Sequence, residues 1–153
     1  MPNQISSITP EALNKQQKVI DWFACCPDEQ ARYQKIIELG AKLPPFPQEH
    51  KTAENIVSGC QSIVYLHCSQ KEDGKLYFEA SSEALISSGL AMLALSAYSG
   101  LLPEEILQTP ANFVEELGLG KSLTPGRSNG LLSMLTLIKQ KSLLYYLKRQ
   151  NLS

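Results

Sequence analysis

Cys60 sits directly after a glycine in Ser58-Gly59-Cys60-Gln61-Ser62, at the mouth of a run that alternates apolar and polar residues. A thiol placed there is held by a strand on one side and carried on a loop, and Gly59 leaves room for another molecule's backbone to approach. The thiolate is the nucleophile, and a free thiol with a pKa of about 8.5 is only slightly ionised at neutral pH. A working Cys60 therefore calls for something that stabilises the anion: a cation, loop amides or a partner protein. Its small, polar neighbours do not resemble a core. A buried inert thiol is nonetheless the commoner fate of a cytosolic cysteine, and local sequence leaves both readings open.

Arg127 is the second residue that stands out. It falls in the first turn of a helix expected to start at Thr124-Pro125, where a cation opposes the helix dipole at a cost of about 0.3–1 kcal/mol. Gly126 and Gly130 beside it each lower helix propensity by about 1 kcal/mol, so local helix formation did not select this turn. A guanidinium aimed at an anion would account for it, the anion being a thiolate, a carboxylate such as Glu83 or an acidic patch on a partner. An exposed arginine without a role would account for it equally.

The remaining cysteines, Cys25, Cys26 and Cys68, join His50 and His67 as nominal metal ligands, but no C-x-x-C occurs. The paired ligand spacing of a structural zinc site is missing, so no metal is expected. A Cys-His hydrolase is disfavoured because His67 belongs to a strand and no Asn or Asp orienter can be assigned. Gly118-Leu119-Gly120 lacks the preceding strand that a dinucleotide fingerprint needs.

The elements that must position these residues follow from caps and periodicity. Thr9-Pro10-Glu11 starts a helix over about 10–24. Tyr33, Ile36, Ile37 and Gly40 share a helical face, with Gly40 as its C-cap, and Leu43-Pro44-Pro45-Phe46-Pro47 is an extended crossing into the Cys60 loop. Runs 62–69 and 75–80, joined by an Asp73-Gly74 turn, read as an antiparallel hairpin that needs a third strand or a helical cover. Glu83 opens an apolar helix to about Tyr98, and short helices follow at Pro103 and Asn112, the latter ended by Gly118-Leu119-Gly120. A last helix carries the stripe Leu131, Leu135, Ile138 and Tyr145. The fold class is α+β, a small antiparallel sheet packed and covered by helices, in one domain over 1–153.

The whole chain agrees with this. Its 153 residues are 43% hydrophobic and 19% charged, with a net charge of −1, as suits a globular domain with no basic face for nucleic acid. The uncharged run 84–103 reaches the length of a bilayer core, but its serines and glycines mark a buried core helix rather than a membrane span. The N-terminal stretch shows neither an apolar signal core nor an Arg-rich transit pattern, so a reducing, cytoplasmic setting is expected.

At these residues the chain resembles the SufE family of sulfur-acceptor proteins, which serve iron–sulfur cluster assembly. The resemblance runs through Ile36-Ile37-Glu38-Leu39-Gly40 with Leu43-Pro44, then Val57-Ser58-Gly59-Cys60-Gln61-Ser62, Glu83-Ala84 with Gly89-Leu90, and Leu123-Thr124-Pro125-Gly126-Arg127-Ser128-Asn129-Gly130-Leu131. It implies that a SufS-type cysteine desulfurase, using its own pyridoxal phosphate, hands persulfide sulfur to Cys60, and that the sulfur passes on toward a SufBCD-type scaffold. It also implies that this chain stimulates the desulfurase, needs no cofactor of its own and has no independent activity. Cys60 would be the acceptor, sheltered in an apolar recess at rest, with Ser58, Gly59, Gln61, Ser62, Glu83 and Arg127 shaping the loop and its dock. Ile63 and Tyr65 replace the family's usual glutamine and tryptophan, and Glu83 stands where Asp is frequent. The related CsdE, which serves a different desulfurase, carries the same motifs. A module that only holds a desulfurase in its active state is the alternative from another class.

Overall fold

The computed structural model describes residues 8–152. Residues 1–7, part of the stretch read above as leaderless, lie outside the described residues. Helix α1, Pro10–Asp21, begins where Thr9 accepts a hydrogen bond from the Ala12 amide at 3.2 Å. It ends short of the expected 24, in tight turns at Phe23 and Ala24. Helix α2, Glu29–Gly40, is capped by Asp28. The proline-rich crossing then contains short 3-10 turns at Gln48–His50 and Ala53–Asn55.

Strands β1, Val64–Gln70, and β2, Leu76–Ser82, form the hairpin, paired antiparallel from Val64 opposite Ser82 to Gln70 opposite Leu76. The alternation read from sequence holds, since Val64, Leu66 and Cys68 are buried while Tyr65 and His67 face outward. Gly74, at φ 84°, makes the turn. Both the strand and the cover that a lone hairpin requires are present in reduced form. Single bridges from Ile56 to Tyr65 and from Leu101 to Leu76 extend the two edges, and a helix packs on the inner face.

That helix is α3, Leu85–Tyr98, which touches β2, α1, α2 and the last helix. It starts after Glu83 and not at it. Ser82 Oγ accepts from the Ala84 amide at 3.2 Å and Ser88 Oγ donates to the Ser82 carbonyl at 2.9 Å, so serines fix the entry and leave Glu83 exposed in the preceding bend. Gly40 is also reassigned. It remains helical, and a Cβ there would lie 2.6 Å from the Gly89 backbone nitrogen, so it serves the close crossing of α2 and α3 rather than a left-handed cap. The α-helices α4, Pro103–Gln108, α5, Asn112–Glu116, and α6, Leu119–Ser122, lead to α7, Pro125–Leu152. Gly118 ends α5 as expected, whereas Gly120 lies inside α6.

The architecture is α+β, with α3 as the core helix: Leu90, Ala91, Leu93, Ala94, Ala97 and Tyr98 are essentially inaccessible. No described helix is long and apolar enough to cross a membrane.

Candidate functional site

The loop that carries Cys60 closes on itself. The Val57 amide donates to the Val64 carbonyl at 2.9 Å, and Ile56 bridges Tyr65, so Cys60 lies near the middle of a pinned loop ahead of β1. Gly59 takes φ +85°, a backbone conformation that a side chain would strain. A Cβ at Gly59 would also lie 2.8 Å from Ser133 Oγ.

The loop leans on the first turns of α7. A Cβ at Gly126 would come within 2.5 Å of Gln61 Cδ, and one at Gly130 would touch Cys60 Sγ at 3.5 Å. Gly126, Gly130 and Ser133 fall on one helical face by spacing, so a stripe of small residues forms the seat for Gly59, Cys60 and Gln61. This explains the two glycines that local helix propensity disfavours. The role of Ser133 was not apparent in the sequence, and its signal is only its register with the glycines.

The thiol is half-buried, and Cys60 Sγ donates to the Gly130 carbonyl at 3.8 Å. Burial pushes its pKa above the ordinary value, with no cation acting against it. Among the described residues no anion-stabilising neighbour acts on Cys60, and a thiol partly withdrawn from water beside a carbonyl keeps its proton.

Arg127 is directed elsewhere. Its guanidinium donates to the Tyr33 hydroxyl and lies over the Tyr33 ring, 5.7 Å from the ring centroid. Among the described residues no ion pair joins it to Glu83. Arg127, Tyr33, Ile37, Gln61, Ser62 and Leu85 line one depression, so Arg127 borders the Cys60 loop without engaging the sulfur. Glu83 lines a neighbouring depression with Ser62, Ile63 and Tyr65. Ser58 and Gly59 face a third, between the loop and Asn129, Leu132 and Ser133. The six loop and docking residues named from sequence are thus distributed over three depressions that border the Cys60 loop or the start of β1. Two exposed apolar residues, Ile63 at 63% exposure, noted in the sequence as a departure from the family, and Leu85 at 66%, which the sequence reading passed over, stand beside the depressions that Ser62 and Ala84 share.

The other thiols differ in kind. Cys68 is 8% exposed on the inner face of β1, and burial pushes its pKa up to about 12, which makes it inert. Cys25 is exposed and Cys26 half-buried, and all four cysteines are free thiols. One set of described residues could hold a metal: His50, His67 and Glu79, on the outer face of the hairpin.

The SufE family, described as an Fe-S metabolism associated domain, matches residues 17–142. SufE-like protein 1 of Arabidopsis thaliana, described as chloroplastic/mitochondrial, is 35% identical over 144 residues. The match covers 93% of this chain but only 39% of the plant protein. An uncharacterised SufE-like protein of Synechocystis is 35% identical over 130 residues, covering 85% of this chain and 81% of the relative. The solution structure of a hypothetical protein from Thermus thermophilus superposes with a TM-score of 0.70 at 27% identity, covering 86% of this chain and 96% of the other. The family match takes in the Cys60 loop and the α7 turn that seats it, and with it this chain belongs to the SufE family, associated with Fe-S metabolism.

Proposed function

We propose that the chain is a sulfur acceptor and carrier in which Cys60 receives persulfide sulfur from a cysteine desulfurase, raises the desulfurase's turnover by clearing its persulfide, and passes the sulfur on for iron–sulfur cluster assembly. The observation that carries this reading is the seating of Cys60: a pinned loop rests its half-buried thiol against Gly130, with Gln61 on Gly126 and Gly59 on Ser133 to either side. The sulfur is then within reach of a partner and shielded from bulk reductant.

In the transfer, Cys60 Sγ attacks the outer sulfur of the desulfurase persulfide. One sulfur–sulfur bond forms at Cys60 as the one on the desulfurase breaks, and the released desulfurase thiolate takes up the proton that Cys60 gives up. No outside oxidant or reductant is consumed. Because burial keeps the resting thiol protonated, activation belongs to the docked complex, where the loop lifts from its seat or meets a partner cation. The exposed Ile63 and Leu85, with Arg127 between α7 and Tyr33, fit a docking face of apolar contacts around one positive charge. A SufS-type desulfurase, which supplies the pyridoxal phosphate, and a SufBCD-type scaffold are the partners this reading names. Four free thiols suit the reducing setting of a cytoplasm.

The test is intact-protein mass after incubation with a cysteine desulfurase and L-cysteine, followed by non-reducing peptide mapping. Wild type gains one sulfur at Cys60, while Cys60→Ser folds, binds the desulfurase and gains none. Unchanged stimulation of the desulfurase by Cys60→Ser, with no sulfur on the wild-type chain, would show a non-covalent activator instead.

A further inference from the structure

On the sheet face opposite the core, three segments bring nitrogen and oxygen ligands together. His50 ends the first 3-10 turn of the proline-rich crossing, His67 lies on β1, and Glu79 is its direct cross-strand partner on β2. One ligand atom from each lies within 4.8 Å of the others. We propose that His50, His67 and Glu79 form a binding site for a divalent first-row transition metal, a site separate from Cys60.

The surroundings hold these groups in place. The two imidazole rings lie 3.7 Å apart at 16°. Phe46 packs edge-on against His50, and the Asn55 side-chain amide donates to the His50 carbonyl at 2.8 Å while standing 3.5 Å from His67 Nδ1. Asn55 is 7% exposed and positioned as an outer partner that orients one ring against the other. His50 Nδ1 is itself buried and makes no hydrogen bond, although Glu79 Oε1 is 3.5 Å away. A buried ring nitrogen facing a carboxylate across that gap is left unsatisfied by the protein, and a cation between them would satisfy both.

Ligand type narrows the ion. Two imidazoles and one carboxylate suit zinc, iron or nickel, whereas calcium and magnesium take oxygen donors and cuprous ion takes sulfur. Tetrahedral ligation at about 2.0–2.1 Å requires donors about 3.3 Å apart, so the cluster must contract and the stacked rings must open slightly. Half-exposed side chains on a sheet surface can do this without moving the backbone. Cys68 points to the other face of β1, so no thiol belongs to the set. Sequence spacing pointed away from a metal because the paired ligands of a structural zinc site were missing, while these ligands come from a loop and two strands.

The chain has only two histidines, which makes the experiment direct. Chelator-stripped full-length protein is titrated with Zn²⁺ by calorimetry and with Co²⁺ by visible absorption, and the imidazole nitrogens are followed by NMR during Zn²⁺ addition. One saturable ion per chain is expected, with both histidine rings shifting and no thiolate-to-cobalt charge-transfer band. Affinity should fall at least about tenfold in His67→Gln and in Glu79→Gln and stay unchanged in Cys60→Ser. Circular dichroism establishes that each variant is folded, and the wild-type NMR result decides if one is not. Absence of saturable uptake, shifts confined to one ring, uptake unchanged in both ligand variants, or loss in Cys60→Ser would each overturn the site.

Discussion

At Cys60 burial holds the proton on the thiol, which points at the Gly130 carbonyl 3.8 Å away. Alkylation follows the thiolate fraction, so iodoacetamide should label Cys60 in the isolated chain with a pH midpoint above that of free cysteine. Adding the desulfurase in a form lacking its own reactive thiol should move the midpoint down; a midpoint already at or below the ordinary value would contradict the resting state described here. Gly59 tests the seat itself. An alanine there must adopt φ +85° and meet Ser133 Oγ at 2.8 Å, and the backbone strain alone costs about 1–2 kcal/mol. In urea unfolding Gly59→Ala should lose at least that much. Adding Ser133→Ala should recover the part due to the clash and leave the part due to the backbone.

At the level of elements, α2 and α3 cross where Gly40 meets Gly89. A Cβ on Gly89 would lie 2.1 Å from the Ile36 carbonyl oxygen. Because that obstacle is backbone, trimming a side chain cannot relieve it, and Gly89→Ala should destabilise by about 3 kcal/mol, the upper end of overpacking costs. A thermal midpoint within a degree of wild type would show that the helices can part freely. This crossing matters to function because α2 carries Tyr33, the partner of Arg127. Arg127→Ala, removing a half-exposed contact, should change stability by less than about 0.5 kcal/mol yet weaken sulfur acceptance. The readout is sulfur gain at fixed chain concentration against a desulfurase titration: the curve should shift to higher desulfurase without a lower plateau.

For the molecule as a whole, α3 is covered by the sheet and by three helices, and Cys68 shares that interior. Burial raises its thiol from 9.0 to about 12. Between those values the unfolded chain releases this proton and the folded chain retains it, so stability falls as pH rises from about 9 to about 12. Lys139 acts in the opposite sense. Burial lowers it from 10.5 to about 8, although its ammonium donates to the Ile106 and Thr109 carbonyls at 2.5 and 2.6 Å. In its window, from about 8 to 10.5, the unfolded chain holds the extra proton and stability rises with pH. Cys68→Ala should therefore flatten the alkaline loss in urea midpoints between pH 9 and 12, and an unchanged slope would place that loss elsewhere.

What the chain determines by itself is local. Thr9 and Thr124 cap their helices, Asp73-Gly74 turns the hairpin, and the alternation from Val64 to Cys68 sorts inner from outer faces. Each depends on a few neighbouring residues whose backbone preferences and hydrogen bonds act over short separations. The motif around Cys60 was equally legible, and with it the family. Only the tertiary structure decided what Gly126 and Gly130 are for, because the Cys60 loop reaches them across 70 residues. It also turned Arg127 toward Tyr33, 94 residues away, and gathered His50, His67 and Glu79 from a loop and two strands. The protonation of Cys60 belongs to the same class. A thiol's pKa follows from the groups that exclude water around it, and those groups are assembled only when α7 packs beneath the loop.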